Sequence, residues 1–128
     1  MECGESKDWV SDSRAFMVAW GLPGVIVIAG IFFDPLARTL MWTGALLWQG
    51  VACLVNASRC GRTHCYFTGP FFLLMALLTL LHGIHVMPLG ANGWYWLGLI
   101  IVAGSAIIWF GTEKMWGKFF PVGCCPED

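Results

Sequence analysis

Four apolar stretches, at about 15–33, 40–55, 66–87 and 94–111, take up most of a chain of 128 residues. Each approaches the length of about 20 mostly apolar residues that a helix needs to cross the hydrocarbon of a bilayer. A backbone can satisfy its polar groups there only as a helix or a closed barrel. The second stretch is the shortest and is interrupted by Thr43, Gln49 and Gly50, yet it reads as a span rather than a re-entrant hairpin. Hydrophobic residues make up 58% of the chain and charged residues 12%, more apolar surface than a water-soluble domain this small can bury. The expectation is an all-α, integral membrane four-helix bundle forming a single domain over residues 1–128. Asp34-Pro35 closes the first span, because proline disfavours helix at the residue before it. Pro88 to Gly93 reads as a turn between the third and fourth.

Four spans put the N-terminus, the middle connection and the C-terminus on one side. That side carries Lys7, Arg14, Arg59, Arg62, Lys114 and Lys118, and the other only Arg38. Basic flanks tend to stay in the cytoplasm. Both termini, a connecting loop at 56–65 and a tail at 112–128 are therefore expected to be cytoplasmic, in a bacterial inner membrane. Trp94, Tyr95 and Trp96 at one end of the last span, and Trp109, Phe110 and Trp116 at the other, suit the two interfaces. The first apolar stretch is too long for a signal-peptide core and follows an acidic, polar start, so it reads as a retained anchor. A net charge of -1 provides no basic surface for nucleic acid; the partner that the composition implies is the lipid bilayer.

The same topology gathers six cysteines on one side. Cys3, Cys60, Cys65, Cys124 and Cys125 fall in the flanks, and Cys53 in the last turn or so of the second span. Cytosolic thiols stay reduced, so the even count reads as metal binding, redox chemistry or lipidation rather than as a disulfide framework. In the run from Arg59 to Cys65, Cys60 and Cys65 are spaced differently from the C-x-x-C of thioredoxin-like and zinc-ribbon sites. Arg59 and Arg62 hold the loop in the cytoplasm and also favour thiolates, as does a helix N-terminus near Cys65. Thiolates select soft or borderline ions such as Hg(II), Cu(I) or Zn(II). Cys60, Cys65, His64, Cys53 and the vicinal pair Cys124-Cys125 are the candidate metal ligands of this side. The plainer alternative for Cys53 is a small hydrophobe in a helix, and for Cys124 and Cys125 it is palmitoylation.

His82 and His85, at i and i+3, are expected to share one face of the third helix, about 25 Å from Cys65 by helical rise. With Met87 beyond them they read as an ion-capture point near the outer surface, the alternative being hydrogen bonds to neighbouring helices. No organic cofactor is implied. A bis-His haem is unattractive because the remaining histidine, His64, lies across the membrane.

The size, the four spans, the cytoplasmic cysteine pairs and the short Cys-containing tail resemble the small mercury-resistance inner-membrane proteins of the MerC and MerT types. The resemblance is one of layout. It implies mercuric ion carried inward by exchange between thiol pairs and delivered to a cytoplasmic thiol acceptor, with Cys60, Cys65, Cys124 and Cys125 as the inner-side thiols. Those families carry a cysteine pair in the first helix, and 15–33 contains none. The leading expectation is a membrane protein that binds or transports a soft heavy-metal ion through a Cys/His relay, with no catalytic residue. Two others stand beside it: a membrane thiol-redox or metal-dependent enzyme with Cys65 as nucleophile and Cys60 as resolving thiol, and a structural or assembly subunit whose cysteines are incidental or palmitoylated.

Overall fold

The structure, a computed structural model, describes residues 8–118; Cys3, Cys124 and Cys125 lie outside the described residues. Among the described residues all regular structure is helical. Four helices are long and apolar enough to cross a membrane: α1 (Ser13–Gly30), α2 (Pro35–Cys60), α3 (Thr63–Gly83) and α4 (Gly93–Trp116).

Helix α2 departs most from its expected span, running from Pro35 to Cys60 instead of 40–55. Pro35 stands at the first helical turn, where a missing N–H leaves no bond unmade. Asp34 Oδ1 caps that turn, accepting from the Leu36 and Ala37 N–H groups at 3.1 and 3.2 Å. At the other end Gly61 adopts a left-handed φ of 67° and its N–H returns to Ala57 O at 2.8 Å, a closure that glycine makes without steric cost. Helix α3 begins at Thr63. The loop expected at 56–65 is therefore a tight helical hairpin with only Gly61 and Arg62 outside the helices. The polar residues after Val55 mark the end of the apolar run, and the helix continues through them because their side chains find partners inside the protein.

Helix α1 is continuous but irregular. Its Met17–Gly21 segment widens into a π turn in which the Leu22 N–H bonds Met17 O. In that register the donor due to Val18 O belongs to Pro23, which has none. The Trp48 indole of α2 supplies it, donating to Val18 O at 3.2 Å. Trp42 likewise donates to Val27 O at 2.8 Å. Arg38 reaches the carbonyls of Gly30, Ile31 and Phe33 at the end of α1. An unpaired carbonyl in hydrocarbon costs several kcal/mol, so these side chains both remove that cost and fasten α1 to α2.

Helices α2 and α3 form the centre, with α1 packed on α2 and α4 on α3. The central pair approaches closely at Gly50 and Gly69: a Cβ on Gly50 would lie 3.1 Å from Gly69 O, the small-residue contact typical of membrane helices. Leu46, Phe72, Met75 and Leu97 fill the core, and Trp42 meets Trp94 edge-on with centroids 5.4 Å apart. Arg62 pairs with both Asp8 and Glu113. The chain before α1, the α2–α3 connection and the last turn of α4 therefore share one end of the molecule, and the start of α2, with Arg38, lies at the other.

Candidate functional site

The tight hairpin places two sets of side chains against each other. On α2, Cys53, Asn56 and Cys60 follow one another at i, i+3 and i+7 and so share a face. On α3, His64, Cys65 and Thr68 occupy the first turns. None of these six is more than 2% exposed, and the three cysteines are free thiols.

Cys53 and Cys65 are near neighbours across the hairpin. Cys53 Sγ accepts from the Trp20 indole of α1 at 3.3 Å, and the Thr68 hydroxyl lies 3.6 Å away. On its other side Cys65 Sγ is 3.4 Å from His64 Nε2 and 3.6 Å from Asn56 Nδ2. Cys60 donates to Asn56 O at 3.0 Å and stands 3.7 Å from Asp8 Oδ1. Asn56 joins the pieces: its Oδ1 accepts the Trp9 N–H at 2.9 Å and its Nδ2 donates to Asp8 at 2.8 Å.

The imidazole is held from two directions. Its Nδ1 lies 2.7 Å from Glu113 Oε1, and the ring stacks on Trp109 with centroids 4.1 Å apart and planes 9° from parallel. A carboxylate only accepts, which assigns the ring proton to Nδ1 and leaves the Nε2 lone pair directed at Cys65. A histidine oriented by a carboxylate on one nitrogen, with the other nitrogen open, is the arrangement found behind metal-ligating imidazoles. It is equally the arrangement behind imidazoles that accept a proton from a thiol.

Arg62 links both carboxylates. Its Nη1 pairs with Asp8 Oδ2, and its Nη2 lies 3.0 Å from Glu113 Oε1. Burial opposes the Asp8 carboxylate, but hydrogen bonds from Asn56 and the Val10 N–H, with the Arg62 charge, outweigh it and hold the carboxyl below the usual range. Burial likewise opposes the Arg62 cation, and Asp8 and Glu113 raise its pKa above the ordinary value. Sequence alone leads one to expect this charge to stabilise thiolates; in the fold it is balanced by two carboxylates where it stands. Arg59 lies with its guanidinium 4.9 Å from the Trp9 ring centroid.

Cys53, Cys60, His64 and Cys65 are thus brought together, and Cys124 and Cys125 lie outside the described residues. His82 and His85 are at the opposite end and do not share a helix face, because α3 stops at Gly83. His82 is buried, with Nδ1 accepting the Leu89 N–H at 3.3 Å and the ring edge-on to Trp94. His85 is exposed in the turn beyond. Among the described residues no group of three or more His, Cys, Asp and Glu side chains is arranged to hold a metal ion.

Asp8, Asn56 and Glu113 were not among the sequence-derived candidates. Asn56 carried a legible signal, the polar i, i+3, i+7 stripe that it forms with two cysteines along an apolar helix. Asp8 and Glu113 carried none, since acidic residues flanking a span are ordinary. Compared with known families, curated proteins and solved structures, the chain matches none.

Proposed function

We propose that the protein binds a soft, thiophilic metal ion, Hg(II) or Cu(I), between Cys53 and Cys65 with His64 beside them, as one step in its transfer across a bacterial inner membrane. The observation that carries this reading is the convergence of two fully buried thiols and a carboxylate-oriented imidazole. The 3.4 Å between His64 Nε2 and Cys65 Sγ is close to the ~3.5 Å that separates a nitrogen and a sulfur bound to one tetrahedral ion. Two thiolates neutralise a divalent ion, and soft ions accept low coordination, which suits a site lacking a larger ligand cage. The pairing differs from the Cys60/Cys65 pair read from sequence: Cys53 takes the place of Cys60, whose sulfur faces Asn56 O and Asp8.

The positive flanks support a cytoplasmic side for this end of the molecule. The Thr63 N–H bonds Lys118 O at 3.0 Å, so the chain leading to Cys124 and Cys125 departs from beside the site. Those six residues reach about 20 Å at most, close enough for handover to the tail and from there to a cytoplasmic thiol acceptor. His82 and His85 have no part in the binding step.

A second reading has its own support in the order Cys65, His64, Glu113, which is that of nucleophile, base and orienting acid in thiol enzymes. One experiment separates the two. In a chain carrying Cys3→Ser, Cys124→Ser and Cys125→Ser, purified protein is titrated with Hg(II), and bound metal is counted together with the sulfur-to-metal absorption. One ion per chain, lost in Cys53→Ser and in Cys65→Ser and kept in Cys60→Ser, is the expected result. Unchanged binding in the Cys53→Ser/Cys65→Ser double variant overturns the metal reading. The enzyme reading is favoured instead by Cys65 alkylating much faster than Cys53 and losing that advantage in Glu113→Gln.

A further inference from the structure

The buried polar face of α2 does not end at the thiol pair. Gln49 stands one turn before Cys53 on the same face, at i and i+4, about 6 Å further from the hairpin by helical rise. It lies near the middle of α2 and is only 9% exposed. Among the described residues its amide has no hydrogen-bond partner. Buried side-chain amides without one are rare, and the hydrocarbon around a span offers no substitute. Polar groups kept inside a membrane at such a cost mark ion and substrate pathways.

Met75, on the buried face of α3, comes from the other side of the seam. It is 2% exposed and belongs to the same contiguous cluster of buried side chains as Cys53 and Cys65. The close approach of Gly50 and Gly69 sets the register: Gln49 adjoins Gly50, and Met75 is six residues beyond Gly69, about 9 Å along the axis. A helical methionine lies over the turn before its own Cα, which in α3 is the turn nearer the thiols. Its unbranched thioether, with three rotatable bonds, adapts readily to a ligand.

We propose that Gln49 and Met75 form a second, weaker station for the soft ion, midway across the membrane, from which it passes to Cys53 and Cys65; the assignment rests on the metal reading of that pair. The ligands are Met75 Sδ and Gln49 Oε1. A thioether selects soft ions such as Cu(I), which accept low coordination. Neither group is charged or loses a proton on binding, so the ion is held loosely enough to move on, as passage through successive sites requires. It is also never bare in hydrocarbon. The charged thiolates form the tighter site.

Two measurements test this. A chain with all six cysteines changed to serine is titrated with Cu(I) against a weak competing chelator; one loosely held ion per chain, lost in Met75→Leu, is expected. Cu(I) uptake by vesicles containing the otherwise unaltered chain falls about tenfold in Met75→Leu and in Gln49→Leu, the effect of ~1.4 kcal/mol on the transfer barrier. Both variants keep tight binding at Cys53 and Cys65. Both also keep or raise the thermal midpoint, because Met75→Leu conserves volume and Gln49→Leu removes an unpaired amide. A cysteine-free chain that binds no Cu(I), or binds it equally after Met75→Leu, would overturn the station while leaving the thiol pair standing. Undiminished uptake in both variants, or a fall in stability large enough to explain slower uptake, would overturn it as well.

Discussion

At the scale of single residues the sharpest test lies in His85, the only described non-glycine residue with a positive φ, at 62°. It closes α3 in a Schellman arrangement, with the Val86 N–H on Leu81 O at 3.0 Å and the His85 N–H on His82 O at 3.1 Å. That position favours glycine, and an L side chain there costs on the order of 1 kcal/mol. His85→Gly is therefore expected to stabilise the protein by about 0.5–1 kcal/mol, read as a higher thermal midpoint in micelles, with Hg(II) uptake by cells unchanged. Lower uptake in this variant would return His85 to the role of an ion-capture residue. The sequence showed a histidine pair at helical spacing but not that the helix ends between them, because Gly83 is the last helical residue and the left-handed position that usually takes glycine is occupied by His85 itself. Cys60, His64 and Cys65 were legible as a group because they lie within six residues of one another. The greater weight of Cys53 was not, since it follows from donors on two other helices, Trp20 and Thr68.

At the scale of elements, the central helix pair is set by close contacts at two levels, and the second is the tighter. A Cβ on Gly83 of α3 would lie 2.1 Å from Thr39 Oγ1 and 2.3 Å from Thr39 Cγ2 of α2. Thr39 cannot swing away cheaply, because its β-branched side chain is stiff and its hydroxyl donates to Pro35 O at 2.7 Å. Gly83→Ala is expected to force the helices apart and cost about 1–3 kcal/mol. Adding Thr39→Ala removes the two worst contacts and should recover part of that loss. Urea or thermal unfolding of both variants checks this, and full stability in Gly83→Ala alone would mean that the crossing is looser than described. The four spans themselves were readable because membrane helices are written in long apolar runs. Their ends were not. Both ends of α2 lie in polar sequence, and both are fixed by local bonds, the Asp34 cap and the Gly61 closure, that hydropathy does not register. The irregular α1 was flagged only by Pro23, and the rescue of its carbonyls depends on Trp42 and Trp48 from another helix.

At the scale of the whole molecule, the outer helices α1 and α4 pack on different members of the central pair, so cohesion at the thiol end depends on the polar knot. Asp8 ties the chain before α1 to Asn56 and Arg62, and Arg62 and His64 tie the hairpin to Glu113 on α4. Removing one partner of such a pair leaves a buried charge unmatched, a loss of about 3 kcal/mol. Asp8→Asn is the cleaner probe, since asparagine retains a hydrogen-bonding side chain of similar shape. The pH dependence follows from the carboxyl being held below its usual range in the folded protein. The stability it contributes is fully present above the unfolded value of about 3.9 and is lost as pH falls through the lower folded value. Unfolding midpoints followed by tryptophan fluorescence between about pH 2.5 and 7 should therefore show an acid-induced loss in the parent chain, and Asp8→Asn should start lower and lose less. Because Cys60 and Asn56 both touch this carboxylate, Asp8→Asn should also loosen the thiol pocket, and Cys65 should alkylate faster at neutral pH than in the parent. Parallel acid profiles for parent and variant, with equal alkylation rates, would show that the knot neither joins the helices nor closes the site.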